Sequence, residues 1–74
     1  MNDFETTLPE LAELVANPER GFFALIGSMG GVSHVEGEIA ASSSRPGDWY
    51  VETEHGVLFF EGDEPIAVRE FISE

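Results

Sequence analysis

The sequence predicts an α+β protein in which one N-terminal helix packs on an antiparallel sheet of four to five strands. Two observations predict this class: apolar residues recur at helical spacing only near the N-terminus, and the remaining chain alternates apolar stretches with Gly- and Pro-containing turns. Short connections favour pairing of successive strands, so we expect a meander that can curl toward a partial barrel. We expect residues 1–74 to form a single domain.

Residues 5–17 are predicted to form the helix. Thr7 and Glu10 have the spacing of a capping box, and Pro18 ends the helix because the residue before a proline avoids helical geometry. The apolar residues of one helix face recur at the spacing i, i+3, i+4 and i+7: Leu8, Leu11, Ala12 and Val15. This face is expected to cover the sheet.

The rest of the chain is predicted to form strands. The apolar or alternating stretches are residues 22–26, 32–41, 49–54, 57–60 and 66–72. The first and fourth of these are apolar on both faces, and one short helix cannot cover both sides of a five-stranded sheet. Either the sheet curls on itself, or an apolar patch stays exposed for a partner or a second copy of the chain.

Five residues of the two alternating strands are predicted to bind a partner. Glu36 and Glu38 share one strand face, and Tyr50, Glu52 and Glu54 share the corresponding face of the next strand. Side chains on one face repeat every ~6.6–6.8 Å, and neighbouring strands lie ~4.8 Å apart. Carboxylates at such spacings can stand in for a phosphate backbone, which carries one charge per ~3.4 Å of axis on each DNA strand.

The charge balance limits the classes of partner. Fifteen acidic residues face three arginines and no lysine, which gives a formal net charge of −12. Such a field repels nucleic acid and anionic membranes and attracts basic protein surfaces, so we expect no direct binding of nucleic acid or membrane. The same acidity is also compatible with adaptation to high salt, or with an excess of charge that only aids solubility.

No pattern in the chain predicts catalysis, a cofactor or a metal. The two histidines, His34 and His55, lack metal-binding spacing, and there is no cysteine. The turn Gly27–Gly31 lacks the lysine and the spacing of a phosphate-binding loop. Pairs of carboxylates occur by chance in so acidic a chain, and a catalytic pair would also need a pocket. We therefore expect a protein that is not an enzyme.

A cytoplasmic location is expected from two features of the sequence. The first residues contain neither a basic segment nor an apolar run of the kind that forms a secretory signal. The longest dense apolar stretch, Phe22–Ile26, is far shorter than the roughly 18 residues that suggest a membrane span.

The function expected from these observations is inhibition by binding. By its size, acidity and lack of cysteine, the chain resembles the DNA-mimic inhibitors that phages and mobile elements direct against defence systems, among them anti-CRISPR and anti-restriction proteins. This resemblance implies an inhibitor, of the anti-CRISPR, anti-restriction or nuclease-immunity class, that blocks a basic nucleic-acid-binding surface. The alternative is a homodimeric structural or regulatory module whose acidity is a halophilic or solubility adaptation.

Overall fold

The computed structural model describes residues 2–71, which form six strands and one helix. The elements along the chain are β1 (Asn2–Thr6), α1 (Leu8–Val15), β2 (Phe22–Ile26), β3 (Val32–Ala41), β4 (Asp48–Thr53), β5 (Gly56–Glu61) and β6 (Ile66–Phe71). The strands form one sheet in the order β1-β6-β2-β3-β4-β5, in which every neighbouring pair is antiparallel.

The predicted fold class is wrong, because the protein is dominated by a six-stranded sheet with one short helix. The N-terminal residues predicted to be partly helical form strand β1, which pairs with β6 from Asn2↔Glu70 to Thr6↔Ile66. The helix starts only at Leu8, and no capping hydrogen bond from a side chain forms at its N-terminus. Instead, Thr6 Oγ1 donates to Glu10 Oε2 over 2.9 Å. Pairing with a distant strand has overridden the local helical signal.

The five strands predicted from periodicity all form, within one residue of the predicted bounds for the described part of the chain. Ile72, the predicted end of the last strand, lies outside the described residues. The order of the strands differs from a simple meander, however. Strands β2 to β5 follow one another, whereas β6 returns across the sheet and lies between β1 and β2. The sheet has two edges, β1 and β5, so the predicted curl into a partial barrel does not close it.

The core lies between the helix and the inner face of the sheet. The largest fully buried side chains are Leu8 and Leu11 of the helix, Val51 of β4 and Val68 of β6. Helix α1 packs on β3 and β4. Full burial of an aliphatic side chain contributes roughly 1.5–3 kcal/mol, which is a large amount beside the ~5–15 kcal/mol by which folded proteins are stable. Among residues 2–71, no helix is long and apolar enough to cross a membrane.

The outer face of the sheet keeps apolar side chains in contact with solvent. Phe22 is 70% exposed, Val57 49% and Phe59 39%. The loop after β3 covers part of this face, because the Arg45 guanidinium lies 4.1 Å from the centre of the Phe59 ring. Of the features that the sequence left open, exposed apolar residues are present on this face.

Candidate partner-binding site

A β-bulge lies at the centre of the predicted site. Between the paired residues Val35↔Thr53 and Ile39↔Val51, strand β3 has three residues and strand β4 has one, Glu52. Bulges of this kind bend a strand and change the direction of its side chains. The bulge therefore decides how the acidic residues of the two strands are arranged.

Glycine at position 37 allows the two strands to approach each other at the bulge. A Cβ atom at Gly37 would lie 2.6 Å from Glu52 Oε1 and 2.9 Å from Glu52 Cβ, so any larger residue would displace that side chain. The Glu52 carboxylate folds over the bulge, where its Oε1 accepts a 2.7 Å hydrogen bond from the backbone N–H of Glu38. The carboxylate thus satisfies a backbone donor that the bulge leaves out of the strand ladder.

Glu54 is held in the same way at the end of β4. Its Oε1 accepts a hydrogen bond of 3.0 Å from the His34 backbone N–H and lies 2.7 Å from His34 Nδ1. The hydrogen bond from the His34 backbone, followed by that from the His34 ring, lowers the pKa of Glu54 below its ordinary value. Glu54 is therefore ionised at neutral pH and fixed in one position.

Tyr50 and Glu38 contact each other across β3 and β4. The Tyr50 hydroxyl donates a hydrogen bond to Glu38 Oε1. This bond, which strengthens when the carboxylate is charged, raises the pKa of the Tyr50 hydroxyl. The ring of Tyr50 lies 6.3 Å from that of Phe59, centre to centre, in a tilted arrangement. The aromatic pair thus adjoins the acidic residues.

The structure brings most of the predicted residues together. Glu38, Tyr50 and Glu52 are linked by direct hydrogen bonds, and Glu54 follows two residues along the chain from Glu52. Glu36 is exposed in the bulge and makes no side-chain hydrogen bond within the described part of the chain. We call Glu38, Glu52 and Glu54 the carboxylate cluster; the contacts described above do not include Glu36.

Sequence reasoning missed two residues that shape the cluster. Gly37 lets the strands approach each other, and His34 holds Glu54. A glycine inside an alternating strand is itself a signal for a bulge, so Gly37 could have been found from the sequence. His34 could not, because its contact depends on the pairing of β3 with β4.

Within residues 2–71, no arginine neutralises the carboxylate cluster. Arg20 pairs with Glu70, and Arg69 pairs with Asp3, each with a shortest N–O distance of 2.7 Å. Arg45 lies over an aromatic ring of β5. The group that pairs with Glu54 is the imidazole of His34, which carries charge only when it is protonated. The cluster therefore keeps its negative charge.

The donor set of the cluster suits recognition of cations on a protein surface. Among the described residues, no group of three or more His, Cys, Asp or Glu side chains is placed to hold a metal ion. Each bound carboxylate uses its Oε1 for an internal hydrogen bond, and Oε2 has no partner in residues 2–71. A carboxylate with one oxygen anchored and the other free can accept a bond from an ammonium or guanidinium group.

The chain matches no protein-family model, no curated protein and no solved structure. The charge and the geometry of the cluster are therefore the features that point to a function.

Proposed function

We propose that this protein is a small acidic inhibitor that blocks a basic nucleic-acid-binding surface of a target protein. In this proposal the carboxylate cluster occupies positions that nucleic-acid phosphates would otherwise take on the target. Tyr50 is the aromatic residue that anchors the contact. The target belongs to the class of nucleic-acid-handling complexes or nucleases, and the inhibition is stoichiometric and involves no catalysis.

The observation that carries the proposal is a group of carboxylates that are both fixed and uncompensated. Hydrogen bonds to backbone N–H groups and to Tyr50 hold Glu38, Glu52 and Glu54. Side chains that are already ordered lose less conformational entropy when a partner binds. No arginine of residues 2–71 forms an ion pair with the cluster, so a basic partner would break no arginine–carboxylate pair there.

The net charge favours fast association with a basic surface. Opposite fields steer two proteins together, and the rate falls as salt screens the charges. A net charge of −12 also exceeds the magnitude of about 2–8 that suffices for solubility of a small domain. The surplus of negative charge is accounted for if the partner is strongly basic.

The proposal is tested by removing charge from the cluster without removing its hydrogen bonds. In E52Q/E54Q, the amide oxygens can still accept from the backbone N–H groups, so the bulge should survive while two charges are lost. The matched control is E13Q/E19Q, which removes two charges from exposed positions on the helix and the following loop. The immobilised variants are compared in capture of proteins from a nuclease-treated cell lysate.

The expected result is retention of basic nucleic-acid-binding proteins at about 50 mM NaCl and their loss at about 300 mM. With the captured protein purified, E52Q/E54Q should bind roughly tenfold more weakly than the control, and added DNA should compete with the inhibitor. Affinity that is indifferent to salt, or a captured partner that binds DNA and this protein at the same time, would refute the proposal.

A homodimeric module is the second candidate, and the exposure of Phe22 favours it. This side chain is 70% exposed, on a central strand, beside a surface hollow of about 420 Å³ lined partly by Val15, Phe23 and Val35. Exposed aromatic residues next to an apolar hollow are a common feature of interfaces. Light scattering tests this candidate, because a dimer that dissociates in F22S would support it and a monomer at every concentration would exclude it.

A further inference from the structure

We propose that the free edge of β5 binds an extended segment of the basic partner by strand addition. The inference rests on the proposed function for the charge of the partner, and it adds how that partner is held. It concerns the backbone of an edge strand, whereas the proposed function concerns the side chains of the carboxylate cluster. The two can therefore be tested separately.

The backbone groups of β4 are divided between its two neighbouring strands. The backbone N–H of Ser42 donates to the carbonyl of Asp48, and that of Glu54 donates to the carbonyl of His34. Backbone groups alternate in direction along a strand, so the N–H and C=O groups of the even-numbered residues of β4 point toward β3. Those of the odd-numbered residues point toward β5 and form hydrogen bonds with it.

The register between β4 and β5 then determines which backbone groups of β5 face outward. The odd-numbered residues of β4 pair with Gly56, Leu58 and Phe60, whose backbone groups therefore point into the sheet. Val57 and Phe59 direct both N–H and C=O toward the open side. The next residue in this series, Glu61, already donates its N–H to Glu64 Oε1 over 3.3 Å. No other strand of residues 2–71 pairs with this side of β5, so the free part of the edge offers four backbone groups.

The two edges of the sheet differ in how they are protected. Edge strand β1 carries Asp3 and Glu5 on its exposed positions, and charged residues of this kind discourage pairing with another chain. Strand β5 has neither proline nor charge between Gly56 and Phe60. Its outward residues Val57 and Phe59 are 49% and 39% exposed. An apolar, unprotected edge strand is a template for another strand.

The charge around β5 decides which occupant fits. Acidic residues flank both ends of the free edge: Glu54 at one end, and Glu61, Asp63 and Glu64 at the other. A partner segment with an apolar centre and basic ends complements this pattern. Two copies of this chain paired antiparallel at β5 would place the acidic start of one strand against the acidic end of the other. A basic segment is therefore favoured over a second copy.

The edge also adjoins the carboxylate cluster. Glu52 is the cross-strand partner of Val57, and Tyr50 is the partner of Phe59. The guanidinium of Arg45 lies 4.1 Å from the centre of the Phe59 ring, on the outer face of the sheet and not at its edge. A partner that covers the cluster would reach the free edge without any rearrangement of the sheet.

The test uses a synthetic peptide of sequence KKVTVTVKK, which has an apolar alternating centre and basic ends. The control peptide is N-methylated at one valine and at the neighbouring threonine, so that both of its edges lose a donor while its charge is unchanged. The expected result is binding about tenfold tighter for the unmodified peptide, because only it can add a strand. The amides of Val57 and Phe59 should become protected from hydrogen exchange in the complex.

A proline variant tests the same edge from the side of the protein. In V57P the lost N–H faces solvent and serves no pairing with β4, so the sheet should survive while peptide binding falls about tenfold. The control S28P places proline at the second position of the turn whose Gly30 N–H donates to the Gly27 carbonyl, where proline is favoured. This control should bind as the wild type does.

Three results would overturn the inference. The first is equal binding of both peptides, or of neither, in the wild-type protein. The second is unchanged binding in V57P with an intact circular dichroism spectrum; if V57P does not fold, exchange of the Val57 and Phe59 amides in the wild type decides. The third is self-association that strengthens with salt and is lost in V57P, because a second copy would then occupy the edge. None of these three results would contradict the proposed function, which is tested separately by the effect of E52Q/E54Q on capture of the partner.

Discussion

The two halves of the sheet use acidic residues in opposite ways. In the half formed by β1, β6 and β2, Glu70 and Asp3 each form an ion pair with an arginine. In the half formed by β3, β4 and β5, Glu52 and Glu54 accept hydrogen bonds from the backbone, and no arginine pairs with them among the described residues. Two carboxylates of the first half are thus neutralised by arginine, whereas Glu52 and Glu54 of the second half are not.

The difference shows that the role of each glutamate depends on the group that it contacts within the fold, because the residue type is the same in both halves. Glu70 is 5% exposed, and a buried carboxylate requires a cation or several donors. Its pKa is lowered chiefly by the hydrogen bonds from Arg20, with a further contribution from the Gly21 backbone. The exposed glutamates of the other half have no such need, so their charge stays available to a partner.

The largest expected effect comes from the helix that covers the inner face of β3 and β4. Leu11 is fully buried, and L11A should lower the free energy of unfolding by about 2–5 kcal/mol because it leaves a cavity. Urea unfolding measures the loss. The control V15A, at a position 39% exposed on the same helix, should cost less than about 1 kcal/mol. Equal losses in the two variants would mean that the helix does not pack as described.

A smaller effect is expected from filling the space at the bulge. In G37A the new methyl group would meet Glu52 at 2.6 Å from its Oε1, and such overpacking should destabilise the protein by about 1–3 kcal/mol. The control is G31A, where no atom of the described residues other than the two chain neighbours lies within 4 Å of the added Cβ. Thermal unfolding compares the two. The Glu38 amide, which donates to Glu52 Oε1, should exchange its hydrogen faster in G37A only, and unchanged exchange would contradict the close approach of the strands.

The smallest effect is a dependence on pH in the half formed by β1, β6 and β2. The pKa of Glu70 is lowered in the folded state, so its pairing stabilises the fold above the ordinary value of 4.5 and this contribution disappears as the pH falls through the folded pKa. The difference in unfolding free energy between wild type and E70Q should thus be constant near neutral pH and shrink in acid. In an R20M background the same comparison should lose most of its pH dependence, and an unchanged profile would count against the Arg20 pair.

Local periodicity predicted the strands well and the N-terminus badly. Strands β2 to β6 each contain an apolar or alternating run bounded by turn residues, and such runs are visible within a short window. Residues 2–6 alternate too briefly to be recognised, since only Phe4 and Thr6 point inward. Their strand exists because β6, more than 60 positions later in the chain for the pair Asn2↔Glu70, supplies the pairing partner.

The candidate site was predictable as a set of residues but not as a geometry. Alternation placed Tyr50, Glu52 and Glu54 on one face of one strand, and Tyr50 and Glu52 occupy that face of β4, opposite the buried Val51 and Thr53. The sequence pattern assumed a regular register with the neighbouring strand. A bulge inserts extra residues into one strand and so shifts its register with the neighbouring strand. The resulting directions of the side chains depend on which residue of the neighbouring strand lies opposite the bulge.

Composition and spacing by themselves determined the acidity of this protein, the positions of most of its strands and the inward and outward faces of β4. Tertiary structure alone decided that β6 lies between β1 and β2, that Arg20 and Arg69 neutralise Glu70 and Asp3, and that backbone N–H groups hold Glu52 and Glu54. The physical reason is distance along the chain. The two faces of a strand and the alternation of its apolar residues follow from residues that are neighbours in sequence. Ion pairs and strand order depend on residues that only folding brings together.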